Sequence, residues 1–192
     1  TLANGLDAAE KAVIEAISPP YRLFTTANQF LASAGLPPKF HVEFVGLSDK
    51  VKAQDGEYEI KMHRTIAEVK HADIVIIPAL YGDISTAIEK NKASLDWISS
   101  MYRRGAEIAS LCLGAFLLAE TGLANGKKCS THWAYCDLFR QMYPQVEVID
   151  GTIISEEDGI YSSGGANSIW NLLLYILEKH TNRDIAILAS KF

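Results

Sequence analysis

The chain has 192 residues, 48% of them hydrophobic and 21% charged, with 18 Lys and Arg against 23 Asp and Glu for a formal net charge of −5. Such a composition fits one compact domain burying about 70% of its unfolded surface and excludes collagen-like and disordered classes. It also speaks against a polypeptide that grips phosphate backbones by itself, because that binding needs clustered basic charge.

In chain order, the spacing of apolar residues predicts two helices, Gly5 to Ile17 and Tyr21 to Ala34, separated by Ser18-Pro19-Pro20. Alternation then predicts strands over Phe40 to Val45 and Tyr58 to Met62. The unbroken run Ile74 to Ile77, stopped by Pro78, reads as a strand buried on both faces of a parallel sheet. A helix from Ser85 to Arg104 follows, stopped by Gly105, and then a second buried run, Glu107 to Leu111. Beyond it come helices Ala115 to Leu123, Ala134 to Tyr143, Asn167 to His180 and Asp184 to Phe192. Short strands are expected at Lys128 to Thr131, Val146 to Ile149 and Gly159 to Ser162. Buried strands alternating with helices predict an α/β, doubly wound, mostly parallel sheet sandwiched by helices. No repeat or linker divides the chain, so residues 1–192 read as a single domain. Because it opens on a helical pattern and closes on a helix without a polar tail, it is expected to be a fragment that lacks a first central strand.

The longest apolar runs, Ile108 to Ala119 and Ile169 to Ile176, fall short of the roughly 18 residues a membrane span needs. No signal peptide pattern opens the chain, so the expected compartment is the cytoplasm. Three cysteines, Cys112, Cys129 and Cys136, make no disulfide framework. The first is the informative one. A buried strand ends at Cys112 and a helix begins within two residues, with small Ser110 and Gly114 two places to either side. That is the spacing of a nucleophile elbow, which would lift the thiol to the C-terminal edge of the sheet and the start of a helix. A plain buried cysteine at a strand end is the alternative, and spacing alone leaves both open.

The run from Ser110 to Trp133, with Cys-Leu-Gly-Ala-Phe-Leu-Leu-Ala, then Gly-Leu-Ala-Asn-Gly and Thr-His-Trp, resembles the ThiJ/PfpI-like domain of AraC-family transcriptional regulators. This is a branch of the class I glutamine amidotransferase-like superfamily. Tyr161 to His180 resembles its next block, and Pro20 to Asn28 its first helix. The resemblance implies a flavodoxin-like sandwich that senses a small molecule and dimerises. In those regulators it precedes a C-terminal pair of helix-turn-helix motifs, which is absent here. DNA would therefore be bound only through that absent domain.

In catalytic relatives a His and an acid activate the elbow thiol, which by itself is only a few per cent thiolate at neutral pH. His132 is the candidate partner of Cys112 here; its alternative is a locally bonded side chain that orders Trp133. Hydrolytic relatives carry His directly after the cysteine, where this chain has Leu113. The acid of hydratase-like relatives would fall on Ala16, with Glu15 one place off, about 100° around a helix. The loop Pro78 to Asp83 is expected to offer backbone N–H groups near Tyr81 and Gly82 to the pocket, and Gly164 and Gly165, before a helix, to contact ligand. Cys129, His132 and Cys136 have metal-like spacing but lack a fourth ligand, so no metal and no cofactor are expected. The expectation is thus a sensing domain whose effector, a nitrogen-containing metabolite, touches Tyr81, Gly82, Cys112, Leu113, His132, Gly164 and Gly165. The alternative is a hydratase, amidase or glyoxalase-like enzyme with Cys112 as nucleophile and His132 as base.

Overall fold

A computed structural model describes residues 2–4, 12–53 and 58–191. In chain order the elements are strand β1 (Leu2–Asn4), helix α1 (Ile14–Ser33), β2 (Val42–Gly46), the antiparallel hairpin β3 (Lys50–Ala53) and β4 (Tyr58–Lys61), β5 (Arg64–Thr65) and β6 (Ile74–Ile77). Helix α2 (Ile84–Arg103), β7 (Glu107–Leu111), a 3-10 turn (Cys112–Gly114), α3 (Ala115–Glu120) and β8 (Lys128–Cys129) form the middle. A second 3-10 turn (Trp133–Tyr135), α4 (Cys136–Met142), β9 (Glu147–Val148), β10 (Ile154–Glu157), β11 (Ile160–Ser163), α5 (Ser168–His180) and α6 (Arg183–Ser190) follow.

Among the described residues seven strands form one sheet, in the order β10-β11-β7-β6-β1-β2-β5. All neighbours are parallel except β10, which returns antiparallel to β11 at the edge. All four residues of β6 are buried, as the unbroken run Ile74 to Ile77 requires of a strand covered on both faces. The expected flavodoxin-like α/β class is what the chain adopts.

Two expectations fail at the N-terminal end. The central strand expected to be missing is present: β1 lies between β6 and β2, pairing Leu2 with Ile74 and with Val42. Nor do two helices flank the prolines. Ala12 bridges Leu80 and Val13 donates to the Ala79 carbonyl at 3.1 Å, so these residues are extended, and one helix runs from Ile14 through Pro19 and Pro20. Residues 5–11 of the expected first helix lie outside the described residues. An interior proline costs about 3 kcal/mol. Here Ile17, Leu23, Phe24 and Leu31 are all buried along one stripe, and at about 1.5–3 kcal/mol per large side chain the packing outweighs two prolines. Strands β3, β5 and β10 escaped the sequence reading because they are short and, facing solvent on one side, lack a long apolar run.

Packing fixes the elements that carry the site. Phe116 of α3 and Phe139 of α4 are fully buried and meet edge to face at 4.9 Å, with the Tyr143 ring tilted against Phe139 at 5.1 Å. This aromatic row docks α4 against α3. At the opposite end of the sheet, where β7 and β11 begin and α5 ends, polar groups do the tying. Lys179 reaches Glu156 at 2.7 Å, Glu107 at 3.2 Å and the Tyr161 hydroxyl, while His180 meets Glu107 at 2.7 Å and the Tyr175 hydroxyl donates to Glu156. The two carboxylates titrate below their ordinary range. Burial pushes both upward, but hydrogen bonds, from His180 and Tyr161 to Glu107 and from Lys179 and Tyr175 to Glu156, outweigh it.

Candidate functional site

The elbow is formed. Strand β7 delivers Cys112 at the C-terminal edge of the sheet, and the chain turns there at once into the 3-10 turn and α3. Cys112 sits at φ +51°, the left-handed region that a residue with a Cβ enters only at a cost of about 1–2 kcal/mol. Both flanks have to be small. A Cβ on Gly114 would lie 2.6 Å from the Pro78 carbonyl oxygen and 2.8 Å from that of Ile77, and Ser110 is wholly buried. Two side chains clasp the cysteine's backbone: its N–H donates to Ser163 Oγ at 3.5 Å, and Thr131 Oγ1 donates to its carbonyl at 3.4 Å.

The thiol itself lies in the interior. Cys112 is 7% exposed, and burial pushes its thiol above the ordinary range, against a smaller opposing effect of the Leu113 N–H. Leu113 is buried beside it. The His132 Nδ1 accepts from the Ala134 N–H at 3.3 Å, capping the 3-10 turn. A neutral ring so bonded carries its proton on Nε2 and has no free nitrogen to receive one from a thiol. Glu15 is exposed in the first turn of α1, and Ala16, at the expected place of the acid, is buried. Among the described residues no acid or base is bonded to the Cys112 thiol.

Beside the elbow lies an open cavity of about 690 Å³. Its walls are residues 131–133, Cys136, Asp137 and Arg140 of α4, the 149–153 segment, and residues 164–168 leading into α5. Of the residues expected to meet ligand, His132, Gly164 and Gly165 stand on this wall. Cys112 and Leu113 are buried and do not line it, and Tyr81 and Gly82 belong to a separate loop whose Ala79 and Leu80 hold the start of α1. The sequence reading missed Trp133, Cys136, Arg140, Asp150 and Ile153. Trp133 is 79% exposed at the rim, its ring 5.5 Å from that of His132. Arg140 bonds Asp137 at 3.0 Å and also Asp150. The spacing of His132 and Cys136 was the available signal. It places them one helical turn apart, where the Cys136 thiol donates to the His132 carbonyl at 3.7 Å. Burial and then Asp150 raise that thiol to about 11, and Asp150 is in turn held low by the thiol and by Arg140. Cys129 faces the interior, 1% exposed, and burial raises it to about 11 as well. Among the described residues no three His, Cys, Asp or Glu are placed to hold a metal ion.

Residues 14–179 match the model of the DJ-1/PfpI family. The HTH-type transcriptional regulator CdhR of Pseudomonas aeruginosa is 28% identical over 112 residues, 58% of this chain and 32% of the regulator. The isonitrile hydratase of Pseudomonas putida is 25% identical over 128 residues, 67% of this chain and 54% of the hydratase. This chain thus spans about a third to a half of the length of these curated relatives. Among solved structures, an AraC family transcriptional regulator from Pseudomonas putida superposes with a TM-score of 0.81 at 17% identity, covering 99% of this chain and 97% of that one. Drosophila melanogaster DJ-1beta superposes with a TM-score of 0.71 at 20% identity, covering 99% and 94%. Both likenesses are likenesses of fold.

Proposed function

The chain belongs to the DJ-1/PfpI family, and from that premise we propose that it is the small-molecule-sensing and dimerisation domain of an AraC-type transcriptional regulator. One observation carries the reading: the elbow is built, yet its thiol is buried, which disfavours the thiolate, while an open cavity stands next to it. A hydrolytic site needs a thiolate and a base within reach of substrate. A sensor needs a cavity tied to the core. The similarity to helix-turn-helix regulators over about a third of their length supports it. DNA is then bound by a further domain, in keeping with the net charge of −5 on this chain, and the compartment is the cytoplasm. Ligand entry shifts the balance between arrangements of the dimer.

The effector is a nitrogen-containing metabolite. An exposed indole, Trp133, beside two carboxylates, Asp137 and Asp150, that share the single cation Arg140, suits an organic cation through cation–π contact and the excess negative charge. Thermal-shift measurement against a panel of amines and amino acids tests this. A raised melting temperature for wild type that is lost in Trp133→Ala is expected, and a panel without one stabilising compound would sink it. A cysteine enzyme is the second reading, favoured by the similarity to isonitrile hydratase. It requires Cys112 to react with iodoacetamide at pH values below those of a free thiol.

A further inference from the structure

Thr131 touches both the elbow and the cavity. It is 3% exposed, it lines the cavity, and its Oγ1 donates to the Cys112 carbonyl at 3.4 Å. Its own carbonyl oxygen faces Gly164 across the cavity wall so closely that a Cβ on Gly164 would come within 3.2 Å of it. On the other side, fully buried Ser163 accepts the Cys112 N–H at 3.5 Å, and the next residue, Gly164, is again cavity wall. Both backbone polar groups of the left-handed residue are therefore held by hydroxyls from the segments that enclose the cavity. A conformation disfavoured for any residue with a Cβ persists only where its surroundings impose it. Here those surroundings are the cavity's own walls.

We propose that Thr131 is a positioning residue: it holds Cys112 in its left-handed conformation and makes the exposure of the Cys112 thiol depend on what fills the neighbouring cavity. The first half stands on geometry alone; the second rests on the cavity being the ligand site. A group entering the cavity presses on Thr131, the hydroxyl shifts from the Cys112 carbonyl, and the elbow relaxes. The buried thiol then gains solvent.

Iodoacetamide alkylation followed peptide by peptide by mass spectrometry, as a function of pH, tests this. The peptide carrying buried Cys129 reports whether the fold is intact. Thr131→Val keeps the shape and removes the hydroxyl. It is expected to speed alkylation of Cys112 by about fivefold, the worth of one buried hydrogen bond, and to move the inflection of its pH profile downward. Thr131→Ser is expected to restore the wild-type profile. A Thr131→Val profile indistinguishable from wild type overturns the proposal. Should Thr131→Val also label Cys129, Ser163→Ala makes the same test from the other side, with the same gain expected and the same null result overturning it. Gly164→Ala serves as a fixed occupant pressing on Thr131. Its effect on the Cys112 rate is expected in the Thr131 background and absent in Thr131→Val, and an equal effect in both, or none in either, overturns the coupling. A thermal-shift ligand that leaves the Cys112 rate unchanged overturns the coupling but not the sensor reading. The expected alkylation pattern without any thermal-shift ligand leaves the clamp standing and removes the sensor reading.

Discussion

The two ends of the sheet are built on opposite principles. Where β7 and β11 begin, Glu107, Glu156, Lys179, His180, Tyr161 and Tyr175 satisfy one another, with two carboxylates held low by their donors. At the other edge Cys112 has a strained backbone and a raised thiol, and a cavity is left open beside it. One end spends its polar groups on cohesion. The other keeps space and strain, which cohesion elsewhere makes tolerable. A fold with a stable floor can hold an elbow that contributes little to stability.

That contrast can be broken from either end. The largest effect is expected from Phe116→Ala, which empties the aromatic row docking α4 and with it the cavity wall. A loss of about 3–5 kcal/mol in urea unfolding is expected. Gly114→Ala should cost about 1–3 kcal/mol, since its Cβ meets two backbone carbonyls that cannot yield as a flexible side chain would. Lys179→Met, which leaves Glu107 and Glu156 without their shared cation, is expected to cost about 1–2 kcal/mol, less than a fully buried pair because all three side chains are partly exposed.

The same cluster sets a pH dependence. Its carboxylates have depressed folded pKa values, so their contribution is fully present above the unfolded carboxylate pKa of about 4.3 and is lost as pH falls through the lower folded values. Wild-type melting temperature should therefore fall below about pH 4, and Lys179→Met should flatten that slope. An equal slope in both would remove the cluster from the explanation. The smallest effect on stability is expected at Trp133→Ala, within about 0.5 kcal/mol because the ring is mostly in solvent. Its consequence should appear only as lost ligand stabilisation. A large destabilisation would make Trp133 a packing residue and weaken the cavity reading.

Much of the fold was legible. The buried runs at Ile74 to Ile77 and Glu107 to Leu111, and the small-x-Cys-x-small spacing, pointed to a parallel sheet and a turn at Cys112, and these elements formed. Pro19 and Pro20 misled, because local backbone preference was read without the buried stripe that overrides it. Strand β1 was missed because a three-residue strand in the sheet centre has no periodicity to read; its neighbours supply the pairing. Around the elbow, the structure divides the expected site residues between a cavity wall and the interior. His132, Gly164 and Gly165 line one cavity with Trp133, Arg140 and Asp150, whereas Cys112 is buried, its backbone carbonyl bonded by Thr131.

By itself the sequence determined the class of fold, the position of the turn and the acidic character of the domain, because these follow from apolar runs, small flanking residues and charge. Only the tertiary structure decided whether the thiol at that turn is usable. Reactivity depends on solvent, on whether a nitrogen of His132 is free and on what lies within bonding distance. Those are properties of segments distant in the chain, Thr131, Ser163 and the Ala134 N–H, brought together by the sheet.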